Sequence, residues 1–139
     1  MNQTDLEKNK MVIARFDEAC IEKNDEETLI ELVADNVINH AAPQGAPNGK
    51  ESFHHFLHLL HSGLSDIKVK ILQQVAEGDL VVSRKSISGV HTGTFIGVPP
   101  TGKAVDFEAI EIIRLENGRY AEHWVQSNLT ELLLSLKLN

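Results

Sequence analysis

Cysteine is almost absent from this 139-residue sequence, in which Cys20 is the one thiol. An internal disulfide is therefore impossible, and a cysteine-rich zinc site is excluded. Basic residues are also scarce, because 13 Lys and Arg are set against 20 Asp and Glu, giving a net charge of −7 at pH 7. Since phosphate binding needs a basic surface, we expect no nucleic acid partner. The length fits one domain, which we expect to cover residues 1–139.

Long apolar runs are missing as well. The longest runs contain only a few residues, whereas a membrane-spanning helix needs about 20. The first ten residues, MNQTDLEKNK, lack the apolar segment of a secretory signal. We therefore expect no membrane association and a cytoplasmic location. The hydrophobic content of 42% is ordinary for a globular protein, and a chain of this length can bury a core without disulfides.

Helical patterns come first along the chain and strand patterns follow. Apolar residues recur at helical spacing over residues 1–24 and 50–61, and a short helix is predicted to begin at Asp25. Strands are predicted at 37–40, 67–71, 80–91, 105–115 and 119–126, and a last short helix at 129–138. Helices followed by a meander of strands indicate an α+β fold.

The last two predicted strands form a hairpin around Asn117-Gly118, which can be paired in two registers. A two-residue turn would pair Leu115 with Tyr120, whereas a three-residue loop would pair Leu115 with Arg119. The second register places Glu111 directly across from His123 and collects the small apolar residues on one face. Because a buried face should be apolar, this pattern favours the second register.

Glu111 and His123 would then form a polar pair on an apolar face. Such a pair is costly to bury unless the two groups bind each other. Together they could orient each other and transfer protons near neutral pH, which makes them candidate catalytic residues. The alternatives are a purely structural pair in the core, or two residues on opposite faces if the first register holds.

The remaining histidines suggest further sites. His40 and His91 end predicted strands, where binding groups often face a cavity, although spacing alone favours surface histidines. His54, His58 and His61 fall near one another on a helical wheel. No carboxylate motif such as H-E-x-x-H accompanies them, so we expect no bound metal.

An apolar patch is expected on the opposite side of the sheet. In the preferred register Trp124 faces away from Glu111 and lies beside Ile110, with Ile112 on the same side. Because such a face is too apolar to leave in water, we expect a homodimer.

Several segments resemble the SnoaL-like polyketide cyclase family, whose members are also described as predicted ester cyclases. They are GVHTGTFIGVPPTG at 89–102, the alternating strand after it, RLENGR at 114–119 and EHW at 122–124. The early helix ending near Asn24, the strand ending in Asn39-His40 and the helix after Gly49-Lys50 match the same pattern. The resemblance covers nearly the whole chain. It implies a cone-shaped, nuclear transport factor 2-like fold, in which N-terminal helices wrap a curved antiparallel sheet around one pocket.

The resemblance also implies cofactor-free aldol chemistry, with an aspartate near the last strand as acid and base. This sequence departs from that pattern, because Asp106 is its last aspartate and Val125 follows Trp124. We expect no cofactor, and acid/base chemistry on a small apolar carbonyl compound by aldol-type cyclisation, isomerisation or hydrolysis. A cyclase or isomerase of this kind belongs to the lyase or isomerase class. The expected catalytic residues are Glu111, His123 and His91, and the expected substrate-binding residues are His40, Phe16, Phe107, Ala109 and Val125.

Two other functions remain open. The same pocket could bind a small apolar ligand without turnover, which the missing aspartate favours. The chain could also be a structural dimer without a ligand. A buried Glu111 and His123 pair favours the enzyme over both.

Overall fold

The computed structural model describes residues 3–42, 44–46 and 48–138. Its helices and strands are, in order, α1 (Gln3–Phe16), a π-helical segment (Asp17–Glu22), α2 (Glu26–Leu32), β1 (Val33–Asn39), α3 (Lys50–Gly63), β2 (Leu64–Glu77), β3 (Leu80–His91), β4 (Ala104–Glu116), β5 (Arg119–Ser127) and α4 (Leu129–Lys137). The strands form a curved, unclosed sheet in the order β1-β5-β4-β3-β2, with the N-terminal helices packed on one side. The predicted α+β class is confirmed. No helix in the described ranges is long and apolar enough to cross a membrane.

The helices begin where local chemistry allows. Asp25 caps α2, because its carboxylate accepts hydrogen bonds from the backbone of Glu27 at 3.1 Å and from the hydroxyl of Thr28 at 2.9 Å. The predicted start of this helix is confirmed. The first helix is different from the prediction, since α-helical geometry ends at Phe16 and the backbone continues as a π-helix to Glu22. A π-helical turn is rare and is often found at functional sites.

The strands β3 and β4 turn alternate side chains toward the helices. On β4 the buried side chains are Val105, Phe107, Ala109, Glu111, Ile113 and Leu115. On β3 they include Val81, Ser83, Lys85, Ile87 and His91. We call this helix-covered side of the sheet the inner face, and the other side the outer face. The predicted face of β4 is confirmed.

The hairpin register corrects the sequence prediction. Leu115 pairs with Tyr120, so the loop is the two-residue turn and the preferred three-residue loop is wrong. Asn117 and Gly118 both have positive φ, at 53° and 75°, as a tight hairpin turn of the mirror-image type requires. Glycine carries this conformation without cost, and asparagine tolerates it better than most residues.

A β-bulge beyond the turn changes which side chains of β5 point to the inner face. The register shifts between Leu115 and Arg114, which leaves one extra residue on β5 at Ala121. From there Glu111 lies opposite Val125 and one diagonal step from His123. Because side chains alternate along a strand, the extra residue returns His123 to the face that carries Glu111. The prediction of a shared face was therefore right, although the direct pairing behind it was wrong.

Candidate functional site

A cavity of about 320 Å³ lies between the inner face and the helices. Its walls are largely apolar and come from the π-helical segment, α1, α3, β3, β4, β5 and the start of α4. Six of the residues predicted for the site line it: Phe16, Phe107, Ala109, Glu111, His123 and Val125. Asn39, Ser52, His55, Lys85, Tyr120 and Ser127 also line it and are the additional polar groups.

The charged end of the cavity is built around Lys85. Its Nζ lies 2.8 Å from Asp17 Oδ1 and 2.8 Å from Glu111 Oε1, and all three side chains are almost completely buried. Lys85 lies opposite Ala109 in the sheet, and Glu111 is two residues farther along β4 on the same face. The π-helical segment supplies Asp17 from the other side. Burying these charges is tolerable only because each one is paired.

These ion pairs fix the protonation of the three groups. Burial alone would raise the pKa of Glu111, but the Lys85 charge and the hydrogen bond from His123 lower it to about 2. For Asp17, burial is the larger effect and raises the pKa to about 6, despite Lys85. Burial opposes the ammonium of Lys85, yet Glu111 and Asp17 together raise its pKa above the usual value. Lys85 is therefore held as a cation and is not available as an amine nucleophile.

His123 connects this charged end to β1 and α3. Its Nε2 lies 3.2 Å from Glu111 Oε2, and its Nδ1 lies 3.0 Å from Asn39 Oδ1. The Asn39 amide nitrogen donates to Ser52 Oγ at 2.8 Å, and the Ser52 hydroxyl donates to the carbonyl of Gly49 at 2.6 Å. The imidazole is thus oriented at both ring nitrogens. A titratable ring held in this way beside an ionised carboxylate is an arrangement suited to proton transfer.

Two buried polar atoms remain without a hydrogen-bond partner in the described part of the chain. They are Asp17 Oδ2 and the hydroxyl of Tyr120. Burial raises the pKa of Tyr120 well above its usual value, so the hydroxyl keeps its proton. The Tyr120 ring packs 4.7 Å from Phe16 and 6.1 Å from Phe53, measured between centroids, and closes one wall of the cavity.

His91, a predicted catalytic residue, lies outside the cavity. This side chain is completely buried but does not line the cavity. Its Nδ1 accepts hydrogen bonds from the hydroxyl and the backbone N–H of Thr101, at 2.9 and 3.3 Å, and its Nε2 donates to the carbonyl of Val98 at 3.2 Å. Both ring nitrogens are hydrogen-bonded to the loop after β3, so His91, the histidine of the G-x-H-x-G segment, holds that loop in place.

The structure also places His40 outside the cavity. His40 follows Asn39 at the end of β1, and because Asn39 faces the cavity, its neighbour points to the outer face. There His40 Nε2 lies 2.7 Å from Glu122 Oε2, and the ring stacks on Trp124 at 4.8 Å. Of these two neighbours, Asn39 lines the cavity and His40, a predicted substrate contact, does not.

The α3 histidines His54, His58 and His61 do not come together at a metal site. Among the described residues, no group of three or more His, Cys, Asp or Glu is arranged to hold a metal ion. His61 instead donates from Nε2 to the carbonyl of Ile21 at 2.8 Å. His55, on the same helix, lines the cavity and was not predicted from the sequence.

The missed site residues had weak signals in the sequence. Lys85 stands at a buried position in the alternation of β3, between Ser83 and Ile87, where an apolar residue is expected. Asp17 lies next to Phe16 in a helix whose other buried positions are apolar. Each was a charge on an apolar face, the same signal that identified Glu111.

Comparisons with known proteins identify the family and the fold. The sequence model of the SnoaL-like polyketide cyclase family matches residues 11–136. No curated protein sequence matches the chain. Among solved structures, IdmH of Streptomyces antibioticus, a proposed polyketide cyclase, is 30% identical, with a TM-score of 0.80 over 93% of this chain and 98% of its own.

Two further structures extend the comparison. A proposed polyketide cyclase of Bacillus cereus ATCC 10987 is 25% identical, with a TM-score of 0.83 over 99% of this chain and 86% of its own. An LEH-like epoxide hydrolase of M. tuberculosis is 14% identical, with a TM-score of 0.71 over 96% and 92% of the two chains. At that identity the likeness shows a shared fold.

Proposed function

Because the chain belongs to the SnoaL-like polyketide cyclase family, we propose that it is a cofactor-independent enzyme acting on a small apolar carbonyl compound. The reaction is a proton-transfer reaction of the aldol cyclisation, isomerisation or hydrolysis type. Glu111 and His123 form its acid/base pair. The apolar walls bind the body of the substrate, and the polar end of the cavity receives its carbonyl group.

One observation carries this proposal: Glu111 lies directly opposite Val125 on the neighbouring strand. In the family, an aspartate on the last strand region is the expected acid/base, and Val125 is among the residues that stand in that region here. Directly opposed side chains in an antiparallel sheet have Cβ atoms about 4.5–5.5 Å apart. Glu111 therefore supplies a carboxylate from β4 within one side-chain width of β5.

The size of the cavity bounds the substrate. Ligand pockets commonly measure about 300–1,000 Å³, and this one, at about 320 Å³, lies at the small end. A compound of one or two rings suits this volume, whereas a large fused polycycle does not. Phe16, Phe107 and Val125 give the substrate apolar surfaces, consistent with a ligand that carries few polar groups.

The direct test is to replace Glu111 with Gln, which keeps the shape and removes the charge. We expect turnover of a small enolisable ketone or aldehyde to fall by at least about 100-fold, the usual contribution of a positioned acid or base. Glu108→Gln is the matched control, because Glu108 lies on the same strand but is exposed on the outer face. Equal loss in both variants, or none in either, would contradict the role of Glu111.

A second candidate is a small-molecule-binding protein without turnover. The observation that favours it is the low pKa of Glu111, about 2, which makes this carboxylate a weak base. Under this alternative, Glu111→Gln changes ligand affinity or thermal stability, and no ligand is chemically altered by the wild-type protein.

We also propose that the protein forms a homodimer through the outer face. Ile110 is 51% exposed and Ile112 is 36% exposed, and Trp124 lies opposite Ile112 on the adjacent strand. A contiguous apolar strip of this kind is typical of a surface that is covered by a partner.

A further inference from the structure

We propose that Asn39 is a positioning residue that fixes the protons of His123, so that the site begins its cycle as an acid. Asn39 holds one proton on His123 Nδ1, and the proton on Nε2, shared with Glu111, is the one the site transfers. This inference rests on the proposed proton-transfer function. It adds the protonation state of His123 before the reaction and the residue that maintains this state, Asn39.

The orientation of the Asn39 amide follows from its hydrogen-bond partners. Its Oδ1 accepts a hydrogen bond from the backbone N–H of Ala41 at 3.0 Å, and a backbone N–H can only donate. Its Nδ2 donates to the hydroxyl of Ser52, whose own hydrogen goes to the carbonyl of Gly49. Both ends of the amide are thus assigned by their partners. The atom that faces His123 is the oxygen, an acceptor.

The protonation state of the imidazole follows from the two acceptors that it faces. Nδ1 faces the Asn39 oxygen at 3.0 Å, so it must carry a hydrogen to make a bond. Nε2 faces Glu111 Oε2 at 3.2 Å, which is a second acceptor. A neutral ring has one N–H and would set a lone pair against one of these oxygens. The ring with two protons satisfies both acceptors.

The proton shared between His123 and Glu111 belongs to His123. Glu111 Oε1 accepts a hydrogen bond from the Lys85 ammonium at 2.8 Å, and this cation keeps the carboxylate ionised. Asp17 faces Lys85 from the π-helical segment and, with Glu111, is the other charge of the cluster. On α3, the uncharged ring of Phe53 lies 5.4 Å from the imidazole, measured between centroids.

The transfer itself follows from this starting state. The Nε2–H bond breaks, the proton moves to a substrate oxygen, and the electron pair remains on Nε2. A lone pair of the substrate oxygen forms the new O–H bond, so the positive charge passes to the substrate, while the imidazole becomes neutral and keeps its Nδ1–H bond to Asn39. The ring returns to its first state by taking a proton that the substrate releases later in the reaction. No oxidant, reductant or further reactant is needed.

The test reads proton positions by NMR of protein labelled with ¹⁵N in its histidines. The chemical shift of a ring nitrogen distinguishes a protonated from an unprotonated state. The signals of His123 are identified by their loss in the His123→Gln spectrum. At pH 7 we expect both His123 nitrogens to be protonated in the wild-type protein. An unprotonated Nδ1 or Nε2 in the wild-type protein would overturn the inference without any variant.

Variants then test the role of Asn39. In Asn39→Leu the acceptor is gone, so we expect Nδ1 to lose its proton while Nε2 keeps the bond to Glu111. Asn39→Asp retains an acceptor oxygen and should keep both protons. Asn48→Ala is the matched control, because Asn48 binds the backbone of Asn39 rather than its side-chain amide. Unchanged His123 signals in Asn39→Leu, or the same change in Asn48→Ala, would assign Asn39 a structural role only.

A second variant covers the case in which Asn39→Leu does not fold. Ser52→Ala removes the acceptor of Asn39 Nδ2 and leaves the Ala41 N–H alone to orient the amide, so we expect Nδ1 to be protonated in a smaller fraction of molecules. Full protonation of Nδ1 in Ser52→Ala would contradict the inference. Because none of these measurements uses turnover, failure of this inference is distinguishable from failure of the proposed enzyme function.

Discussion

Lys85 and Glu111 are joined by an ion pair of 2.8 Å between Nζ and Oε1, from neighbouring strands and with both side chains almost completely buried. A second carboxylate, Asp17, binds the same ammonium at 2.8 Å. Neither carboxylate could stay ionised at this depth without the lysine. The lysine therefore sets the charge state of the site, although it is not one of the residues expected to exchange protons with a substrate.

Removing the lysine should destabilise the protein strongly. In Lys85→Met, two buried carboxylates lose their cation, and we expect the free energy of unfolding at pH 7 to fall by about 3–5 kcal/mol. The triple variant that also carries Asp17→Asn and Glu111→Gln should recover much of this loss, since no buried charge is left unpaired. Urea denaturation of the three proteins measures both effects. A loss of less than about 1 kcal/mol in Lys85→Met would show that the pairs are not needed for stability.

Asp17 should make the stability depend on pH in a defined window. Its pKa in the folded protein is about 6, above the ordinary value of 3.8, so the folded state binds the proton more tightly. The stabilisation is complete below pH 3.8 and is lost as the pH rises to about 6, a change of at most about 3 kcal/mol. Glu111, whose pKa is lowered from 4.5 to about 2, acts oppositely and loses its contribution as the pH falls through that lower range.

The variant Asp17→Asn isolates this effect. Its stability should lack the decline between pH 4 and 6 that the wild-type protein shows, whatever constant offset the substitution adds. Urea denaturation at pH 4, 5, 6 and 7 gives the difference between the two proteins, in which groups common to both cancel. Parallel curves over this range would contradict the assignment of a raised pKa to Asp17.

Much of the fold follows from the sequence because it depends on local patterns. The alternation along β4 identified its buried side, and Asp25 identified the start of α2 by its capping chemistry. The hairpin register was wrong because a β-bulge leaves no clear mark in the pattern of apolar residues. The extra residue, Ala121, is buried like Tyr120 before it, so both suit an inner face.

The candidate site was predictable only in part. Glu111 and His123 were identified as polar residues on an apolar face, and both line the cavity. Lys85 and Asp17 meet across 68 positions of sequence, through a π-helical turn that helical periodicity does not reveal. His40 and Asn39 could not be told apart for a different reason. The side chain that faces the cavity depends on the alternation along β1, and this strand has only seven residues and an irregular register.

A carboxylate on β5 should replace the one on β4. We expect Glu111→Gln with Val125→Asp to recover at least about tenfold of the activity that Glu111→Gln loses, because the two positions are directly opposite. Val125→Asn in the same background is the control, since it has the same shape without the charge. Steady-state turnover compares the three proteins. Equal activity in the Asp and Asn variants would contradict a shared role for these two positions.

The outer face should hold two copies of the chain together. Static light scattering at micromolar concentration should give twice the chain mass of 15.4 kDa for the wild-type protein. Ile110→Lys places a charge in the apolar strip and should shift the mass toward that of one chain. Met11→Lys is the matched control, because Met11 is 69% exposed on α1. A wild-type mass of one chain, or equal dissociation in both variants, would exclude this interface.

Proton transfer to and from a small carbonyl compound in the cavity is the central step of the proposed function, and hydrogen exchange at carbon measures this step directly. The probe is 2-indanone, a small apolar ketone, incubated with the protein in D₂O near neutral pH without any cofactor. Proton NMR follows the loss of the signal beside the carbonyl, and the Ala109 methyl signal reports whether the ketone occupies the cavity. We expect exchange to be at least about tenfold faster with wild-type protein than with Glu111→Gln or with buffer. A ketone that shifts the Ala109 signal but exchanges at the buffer rate would contradict the enzyme function and support binding without turnover.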